Sequence, residues 1–254
     1  MKIDLVLFSP TGGTEKAARI VSNRLGEAGR LIALTDPTVS FGDISFNKDD
    51  SICLIAVPSF GGRVPDTASK RIQQLHGNGT KAVLMAVYGG REFEDTLVEL
   101  QDLAAAAGFV PVAAIAALAE HSVSRKFAAG RPDANDSLQL EQFADSIASA
   151  LAKESPAVLN LPGNRPYKEY KASPGRPMAN ENCTQCGLCV TACPVAAIPA
   201  DDPSGMDTDR CIACMACASI CPANARHLAP QFLANVEQML EKNCKPGKEN
   251  TLYL

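Results

Sequence analysis

The sequence predicts an α/β fold, namely a doubly wound, five-stranded parallel sheet in the order 2-1-3-4-5, followed by a small α+β domain. Three observations support this expectation. Short apolar runs recur along residues 1–155, and helical patterns follow them, which is typical of parallel strands covered on both faces. A duplicated cysteine pattern within residues 176–229 marks a second, smaller domain.

Five apolar runs are the predicted strands, and their near-continuous apolar character is typical of strands buried on both faces. They are residues 3–8, 31–34, 52–57, 82–87 and 111–119. In a doubly wound sheet of this order, a ligand crevice is expected at the carboxyl ends of the strands, beside the first and third. The loops that follow these strands are therefore the candidates for a binding site.

Helical patterns follow most of the strands and are recognised by apolar residues three and four positions apart. The first is predicted to end near Gly29. The periodic residues of the four patterns are Ala17, Ala18, Val21 and Leu25; Ala68, Ile72 and Leu75; Leu97, Leu100, Leu103 and Ala107; and Leu140, Phe143, Ala144, Ile147 and Leu151.

Composition and charge exclude several classes of function. The net charge of −4 argues against nucleic acid as the main partner. No apolar run reaches the roughly 18–20 residues of a membrane helix, and Asp4 interrupts any apolar region of a signal peptide. A cytoplasmic protein that binds neither membrane nor nucleic acid is expected.

Ten cysteines are unevenly placed in the chain. Cys53 and Cys244 stand alone, whereas the other eight form two copies of C-x2-C-x2-C-x3-C-P, 28 residues apart. Clustering of this kind indicates metal rather than disulfides in a reducing compartment. The eight are Cys183, Cys186, Cys189, Cys193, Cys211, Cys214, Cys217 and Cys221.

This spacing predicts two [4Fe–4S] clusters, in which the fourth cysteine of each copy ligates the other cluster. The first cluster is then assigned to Cys183, Cys186, Cys189 and Cys221, and the second to Cys211, Cys214, Cys217 and Cys193. Zinc sites use paired C-x2-C units and do not need a third cysteine followed by C-P. A disulfide scaffold would not repeat this spacing in a cytosolic chain.

Residues 176–229 closely resemble the bacterial-type two-cluster ferredoxins in this cysteine pattern. Residues 156–175 are rich in proline and are predicted to be an extended linker that holds the cluster domain docked rather than swinging. Residues 230–254 are predicted to form a C-terminal helix, over about 230–242, and a tail.

A turn rich in hydroxyl groups, S-P-T-G-G-T, follows the first strand and leads into a helix. Hydroxyls and free N–H groups at a helix N-terminus can surround a phosphate without a lysine or arginine. The turn has neither the G-x-G-x-x-G spacing nor the Gly-Lys of other nucleotide loops. The alternative is an ordinary helix cap. The candidate phosphate residues are Ser9, Thr11, Gly12, Gly13 and Thr14.

The form S-x-T-G-x-T resembles the phosphate loop of flavodoxins, which implies bound FMN. In that arrangement the loops after the third and fourth strands flank the flavin ring, with Phe60 and Tyr88 as its aromatic neighbours. The chain has no tryptophan, so the Trp–Tyr pair common in flavodoxins is absent. The implied ring-binding residues are Ser59, Phe60, Gly61, Gly62, Tyr88, Gly89, Gly90 and Arg91.

Nearly the whole chain is similar to flavodoxin–ferredoxin fusion proteins, which implies electron transfer between the two clusters and FMN, with a redox protein as donor or acceptor. One alternative is a flavin-dependent reductase with a small molecule near His121, Arg63 and Arg91; another is a redox sensor that lacks flavin. Arg63 and Arg91 are expected either to raise the flavin potential or to pair with Glu92, Glu94 or Asp95.

Overall fold

The computed structural model describes residues 1–152, 159–245 and 247–254. Five parallel strands form the centre of the N-terminal domain in the order β2-β1-β3-β4-β5, which confirms the predicted doubly wound order. The strands are β1 (Lys2–Leu7), β2 (Glu27–Ala33), β3 (Ser51–Pro58), β4 (Lys81–Tyr88) and β5 (Val110–Leu118).

Four helices cover the two faces of this sheet, and three more lie in the C-terminal part of the chain. They are α1 (Gly13–Leu25), α2 (Asp66–Ile72), α3 (Thr96–Ala106), α4 (Ala134–Leu151), α5 (Leu188–Thr191), α6 (Ala216–Ile220) and α7 (Pro230–Asn243). Among the helices that the structure describes, none is long and apolar enough to cross a membrane.

Each face of the sheet has its own apolar core, because successive side chains of a strand point to opposite faces. Leu54 packs with α1 and α4 on one face, and its neighbour Ile55 packs with α2 and α3 on the other. Both residues are fully buried, as are most of β3 and β4. The apolar runs of the sequence therefore reflect strands covered on both sides.

Helix α1 ends at Leu25 and not near Gly29, so this part of the prediction is wrong. The amide N–H of Gly26 still donates to Ser22 O, but Glu27 already donates to Met1 O as β2 begins. A Cβ on Gly26 would lie 2.2 Å from Met1 O. Glycine thus allows the chain to turn close beside β1, and β2 starts four residues earlier than its apolar run.

A sixth strand corrects the expectation of five. The strand β8 (Thr251–Tyr253) pairs antiparallel with β5, so the last residues of the chain are part of the sheet instead of a tail. Asn250 precedes β8 and is buried. Its Oδ1 accepts from the Leu118 amide at 2.8 Å, and its Nδ2 donates to Asp136 and Gln139 at 2.9 and 2.8 Å. This one side chain joins β5, α4 and β8.

The second part of the chain is built around a short antiparallel ladder, β6 (Met178–Ala179) with β7 (Arg226–His227). Helices α5 and α6 lie between these strands in the sequence, one in each copy of the cysteine pattern. Helix α7 ends one residue beyond its predicted range. Its Leu240 is buried, whereas Met239 is 43% exposed.

Residues 159–168 of the linker lie against the N-terminal domain. The predicted boundary at residues 155 and 156 lies outside the described residues. Leu159 and Leu161 belong to the core beside α3. Farther on, Asp95 accepts from the Asn164 and Lys168 amides at 2.8 and 2.7 Å. These contacts match a docked connector.

Removal of the Asn250 side chain should loosen the C-terminal strand, because the buried Leu118 amide would lose its acceptor. An unsatisfied buried group costs about 1–3 kcal/mol. In Asn250→Ala, amide hydrogen exchange in β8 should accelerate roughly tenfold or more. The exposed Asn243, which bonds only within α7, supplies the control Asn243→Ala. Equal exchange rates in the two variants would contradict this role.

Candidate functional site

A cleft lies at the carboxyl ends of β1, β3, β4 and β5, where the fold class predicts it. Four loops form its walls, and we number them in chain order as the first (9–14), second (58–65), third (88–92) and fourth (119–122) loops.

The first loop brings the N-terminus of α1 to the cleft. Thr11, Gly13 and Thr14 line it, and Gly12 lines an adjoining pocket. Gly12 has φ +85°, a left-handed conformation that favours glycine. Ser9 lies outside the wall, where its Oγ accepts from the Glu15 amide at 2.9 Å. The N–H groups of Gly13 and Thr14, at the start of α1, have no acceptor within the helix and remain available to a ligand.

The second and third loops supply most of the predicted ring-binding residues. Ser59, Phe60 and Gly61 line the cleft from the second loop, and Tyr88, Gly89 and Arg91 line it from the third. Gly62 and Gly90 do not line it. Both have positive φ, at +85° and +88°, and shape the loops instead. A Cβ on Gly62 would overlap the Glu94 side chain.

The two aromatic residues differ in their freedom to contact a ligand. Tyr88 is only 7% exposed, and its ring packs edge-on against Phe93 with centroids 5.3 Å apart. Burial raises the pKa of the Tyr88 phenol to about 12, so it stays protonated. Phe60 is half-buried and packs at the rim of the core. Of the two, Phe60 offers the more accessible face.

The two arginines that follow the glycine pairs have different surroundings. Arg91 lines the cleft and donates to Glu94 at 2.8 Å, one of the pairings expected. Arg63 does not line it. Its guanidinium forms two hydrogen bonds of 2.7 and 2.8 Å with Glu99, a partner that the sequence did not suggest. Arg63 therefore ties the second loop to α3.

The fourth loop adds Glu120, His121 and Ser122, of which His121 was considered at the sequence level only for the alternative reductase. The Nδ1 atom of His121 accepts from the Val123 and Ser124 amides at 3.2 and 3.3 Å, which places the proton of the neutral ring on Nε2. Burial and the nearby Arg91 charge lower the pKa of His121 to about 4. The imidazole is thus a neutral N–H donor at the cleft.

The absence of a side chain at Gly89 makes room for this imidazole. A Cβ on Gly89 would lie 2.5 Å from His121 Cδ2 and 2.7 Å from its Cα. The third loop also approaches the fourth through the hydrogen bond from the Ala119 amide to Tyr88 O, at 3.1 Å. The close approach of these two loops sets the shape of the cleft wall.

The two cysteine patterns lie back to back. Cys189, Cys193 and Cys217 form a small buried core with Ala197 and Ile198. The fourth cysteine of each pattern has the same environment, since Cys193 Sγ accepts from the Ala197 amide and Cys221 Sγ from the Ala225 amide, both at 3.2 Å. Such N–H···S bonds stabilise thiolates that ligate iron. The cysteines therefore fit the clusters that their spacing predicts.

Burial raises the pKa of the Cys214 and Cys217 thiols to about 12. Buried thiolates at these positions need a strong compensating positive charge, which iron provides. Over the residues that the structure describes, no group of three acidic, histidine or cysteine side chains is arranged to hold a single metal ion. A cubane differs from such a site, because its four thiolates bind separate irons.

Cys214 also lines the cleft, and no other cysteine of the repeat does so. This residue belongs to the second cysteine pattern. The same side of the small domain contacts the N-terminal domain elsewhere, as Arg71 donates to Pro194 O at 2.7 Å and Arg125 to Ser219 Oγ at 3.0 Å. Ile212 packs on the core of the sheet. The sequence contained no signal for this convergence, which depends on how the two domains dock.

Two parts of this chain are similar to known proteins. Residues 182–225 match the protein family described as 4Fe-4S dicluster domain. No match to a curated protein was found. Among solved structures, the flavodoxin of Streptococcus pneumoniae TIGR4 is similar at 21% identity and a TM-score of 0.40, over 58% of this chain and 97% of that one.

Two further solved structures are similar over the same part of the chain. Flavodoxin 1 from Bacillus cereus has 13% identity and a TM-score of 0.43, over 60% of this chain and 100% of that one. The Flv1 flavodiiron core from Synechocystis sp. PCC6803 has 16% identity and a TM-score of 0.44, over 59% of this chain and 36% of that one. The strand order itself shows the flavodoxin-like fold. The chain combines this fold with a 4Fe-4S dicluster domain.

The His121 environment predicts an unusual titration. In the folded protein the imidazole should stay neutral down to about pH 4, whereas the unfolded chain takes up its proton near the ordinary 6.5. The contribution of His121 to stability is therefore complete above pH 6.5 and is lost as the pH falls toward 4. NMR of 13C-labelled histidine measures both states. A midpoint near 6.5 in the folded protein would contradict the assignment.

Proposed function

We propose that this chain is an electron-transfer flavo-iron–sulfur protein, which passes single electrons between two [4Fe–4S] clusters and an FMN in the cleft. The observation that carries the proposal is the position of Cys214, a ligand of the second cluster in our assignment and part of the wall of the cleft. A cluster held by Cys214 would lie beside whatever occupies that cleft.

Several features of the cleft fit FMN. The free amides of the first turn of α1, together with Thr11 and Thr14, supply donors for a phosphate. Lys16, Arg125 and Arg131 line the adjoining pocket, where Arg131 is paired with Asp136 and Arg125 with Glu120. Phe60 and the backbone of the second and third loops supply a surface for a flat ring system. FMN, when bound, exchanges electrons both singly and in pairs.

The chain's own residues divide the remaining work. His121 offers a fixed neutral N–H donor, and Arg91 offers a positive charge that Glu94 partly offsets. The second cysteine pattern faces the cleft, whereas Cys186 of the first pattern is exposed. An external redox protein would therefore exchange electrons at the first cluster, and the second cluster would connect it to the flavin. A cytoplasmic location suits this role.

Two measurements on anaerobically purified protein test the proposal: its iron and FMN content, and the kinetics of electron transfer after flash photoreduction. We expect about eight irons and one FMN per chain. After a flash, electron exchange between clusters and flavin should proceed at a rate independent of protein concentration, because the path lies within one chain. Four irons would overturn the two-cluster assignment, and the absence of a flavin band would favour a sensor without FMN. A rate proportional to concentration would overturn the internal path.

Substitution of Gly89 should weaken flavin binding without loss of iron. The added methyl group of Gly89→Ala would overlap His121, and overpacking of this kind costs about 1–3 kcal/mol. The affinity for FMN should fall roughly tenfold, as measured by fluorescence titration of the flavin-free protein with FMN. Gly42→Ala is the matched control, because a Cβ there meets nothing within 4 Å. Equal affinities in the two variants would place the flavin elsewhere.

A reductase that acts on a small molecule is a second candidate, favoured by the neutral His121 donor at the cleft. In such an enzyme His121 would orient an acceptor atom of the substrate next to the flavin. A compound that reoxidises the reduced flavin in the intact protein, but much more slowly in His121→Phe, would support it. Flavin reoxidation by redox proteins alone, unchanged in His121→Phe, would favour the carrier.

A further inference from the structure

Arg226 is a buried cation without an anionic partner in the described part of the chain. It is 3% exposed. Its guanidinium donates only to neutral carbonyls, those of Pro177, Pro203 and Gly205 at 3.2, 2.5 and 2.8 Å. Its Nε–H is buried and has no acceptor among the described residues. The nearby Asp202 is exposed and accepts instead from Ser204.

A buried charge of this kind requires compensation. Burial of an unpaired ion is costly, and a buried donor without an acceptor demands an explanation. A [4Fe–4S] cluster with four thiolate ligands is an anion, and its sulfur atoms accept hydrogen bonds. The cluster sites are thus the source of negative charge that the protein atoms around Arg226 lack.

The two halves of the cysteine repeat differ at this position. Arg226 follows Ala225, and Ile198 stands at the equivalent place after Ala197, 28 residues earlier. The preceding amides make the same 3.2 Å bonds to Cys221 and Cys193. Ile198 is buried to the same degree, at 2% exposure. One half therefore places an apolar side chain where the other places a charge.

The geometry associates Arg226 with the first cluster. Arg226 lies five residues after Cys221, a ligand of that cluster in our assignment. Pro203 O, which accepts from the Arg226 guanidinium, also accepts from the Cys189 thiol at 3.6 Å. Cys189 is a second ligand of the first cluster. Both contacts join the Arg226 segment to residues assigned to the first cluster.

We propose that Arg226 raises the reduction potential of the first cluster above that of the second. Reduction adds one electron to a cluster that is already negative, and a fixed buried cation stabilises the more negative state. The exposure of Cys186 acts in the same direction, because water also stabilises the added charge. This inference rests on the two clusters of the proposed function but does not require the flavin.

The consequence is an order of filling. The first electron to enter the protein rests on the first cluster, and the second cluster is reduced only afterwards. Electron delivery to the cleft then has a step that is uphill from the first cluster to the second. The first cluster would remain reduced until an oxidised flavin accepts the electron.

Potentiometric titration with EPR detection tests the proposal in the full-length protein. Arg226→Gln and Arg226→Met both remove the charge. Gln retains an NH2 group that can donate to the surrounding carbonyls, so it serves as the test if the Met variant does not fold. Because a buried positive charge stabilises the more negative reduced state, the equilibrium constant for reduction of the first cluster should fall roughly tenfold or more when the charge is removed. A tenfold change corresponds to about 59 mV for one electron. Arg226→Lys should retain most of the wild-type potential.

Arg210→Gln is the control, because Arg210 is an exposed arginine beside the second cysteine pattern. Its removal should leave both potentials nearly unchanged, since water screens exposed charges. Neutral Arg226 variants that retain eight irons and wild-type potentials would overturn the proposal. A shift confined to the second cluster would overturn it as well.

The unmodified protein provides an independent test. When one electron has been added per protein, NMR should show the largest changes in hyperfine shift for the cysteine β-protons of the first cluster. These belong to Cys183, Cys186, Cys189 and Cys221. Changes first in the other four cysteines would overturn the order of filling. Fewer than eight irons would overturn the two-cluster assignment and this inference together, whereas eight irons with the opposite order would overturn this inference alone.

Discussion

The pairing of β8 with β5 anchors the cluster domain from its far end. The chain leaves the sheet after α4, forms the linker and the cluster domain, and then returns to the edge of the same sheet. Asn250 connects this returning segment to β5 and α4, and Lys248 contacts Glu92 and the Arg91 carbonyl in the third loop. Because both flanks of the cluster domain are attached to one rigid body, Cys214 is kept beside the cleft. The proposed electron path would owe its fixed length to this arrangement more than to any single contact between the domains.

The charges of the two halves of the protein are arranged differently. At the cleft, Arg91 is balanced by Glu94, and His121 is held neutral, so the walls present hydrogen-bond donors with little net charge. Around the cysteines, the buried Arg226 has no anionic partner among the described residues, and the buried thiols would ionise only when they bind iron. A cleft with little net charge can bind a cofactor that enters already assembled. A site with an unbalanced charge gains its compensating charge only when a cluster is assembled in it. The protein without its clusters would therefore have an unstable C-terminal half and a nearly complete N-terminal half.

The sheet was predictable because burial on both faces requires continuous apolar sequence, as in β3 and β4. The match of residues 182–225 to a 4Fe-4S dicluster domain was predictable because iron sets the spacing of the cysteines. Strand β8 was not, since three residues are too few to show a pattern and its pairing depends on Asn250 and β5, which lie far apart in the sequence. The partner of Arg63 was missed for a similar reason: Glu99 lies on α3, and only folding brings the two together. His121 carried a local signal as a histidine at the end of a strand, but its neutral state follows from burial and from the backbone amides around it. Most ligand-contacting loops follow from sequence, but the contacts between domains do not.

The unequal exposure of the two cysteine patterns has a consequence for how the protein would lose iron to oxidation. Cys186 is open to solvent, whereas Cys214 is buried between the domains. In the proposed assignment, dissolved oxygen and chelators would reach the first cluster directly and would have to pass the N-terminal domain to reach the second. Loss of iron would then begin at the first cluster and would leave the second cluster and the flavin in place. Such a molecule would be disconnected from its redox partner, so the exposure of Cys186 that permits electron exchange would also determine where function is lost first.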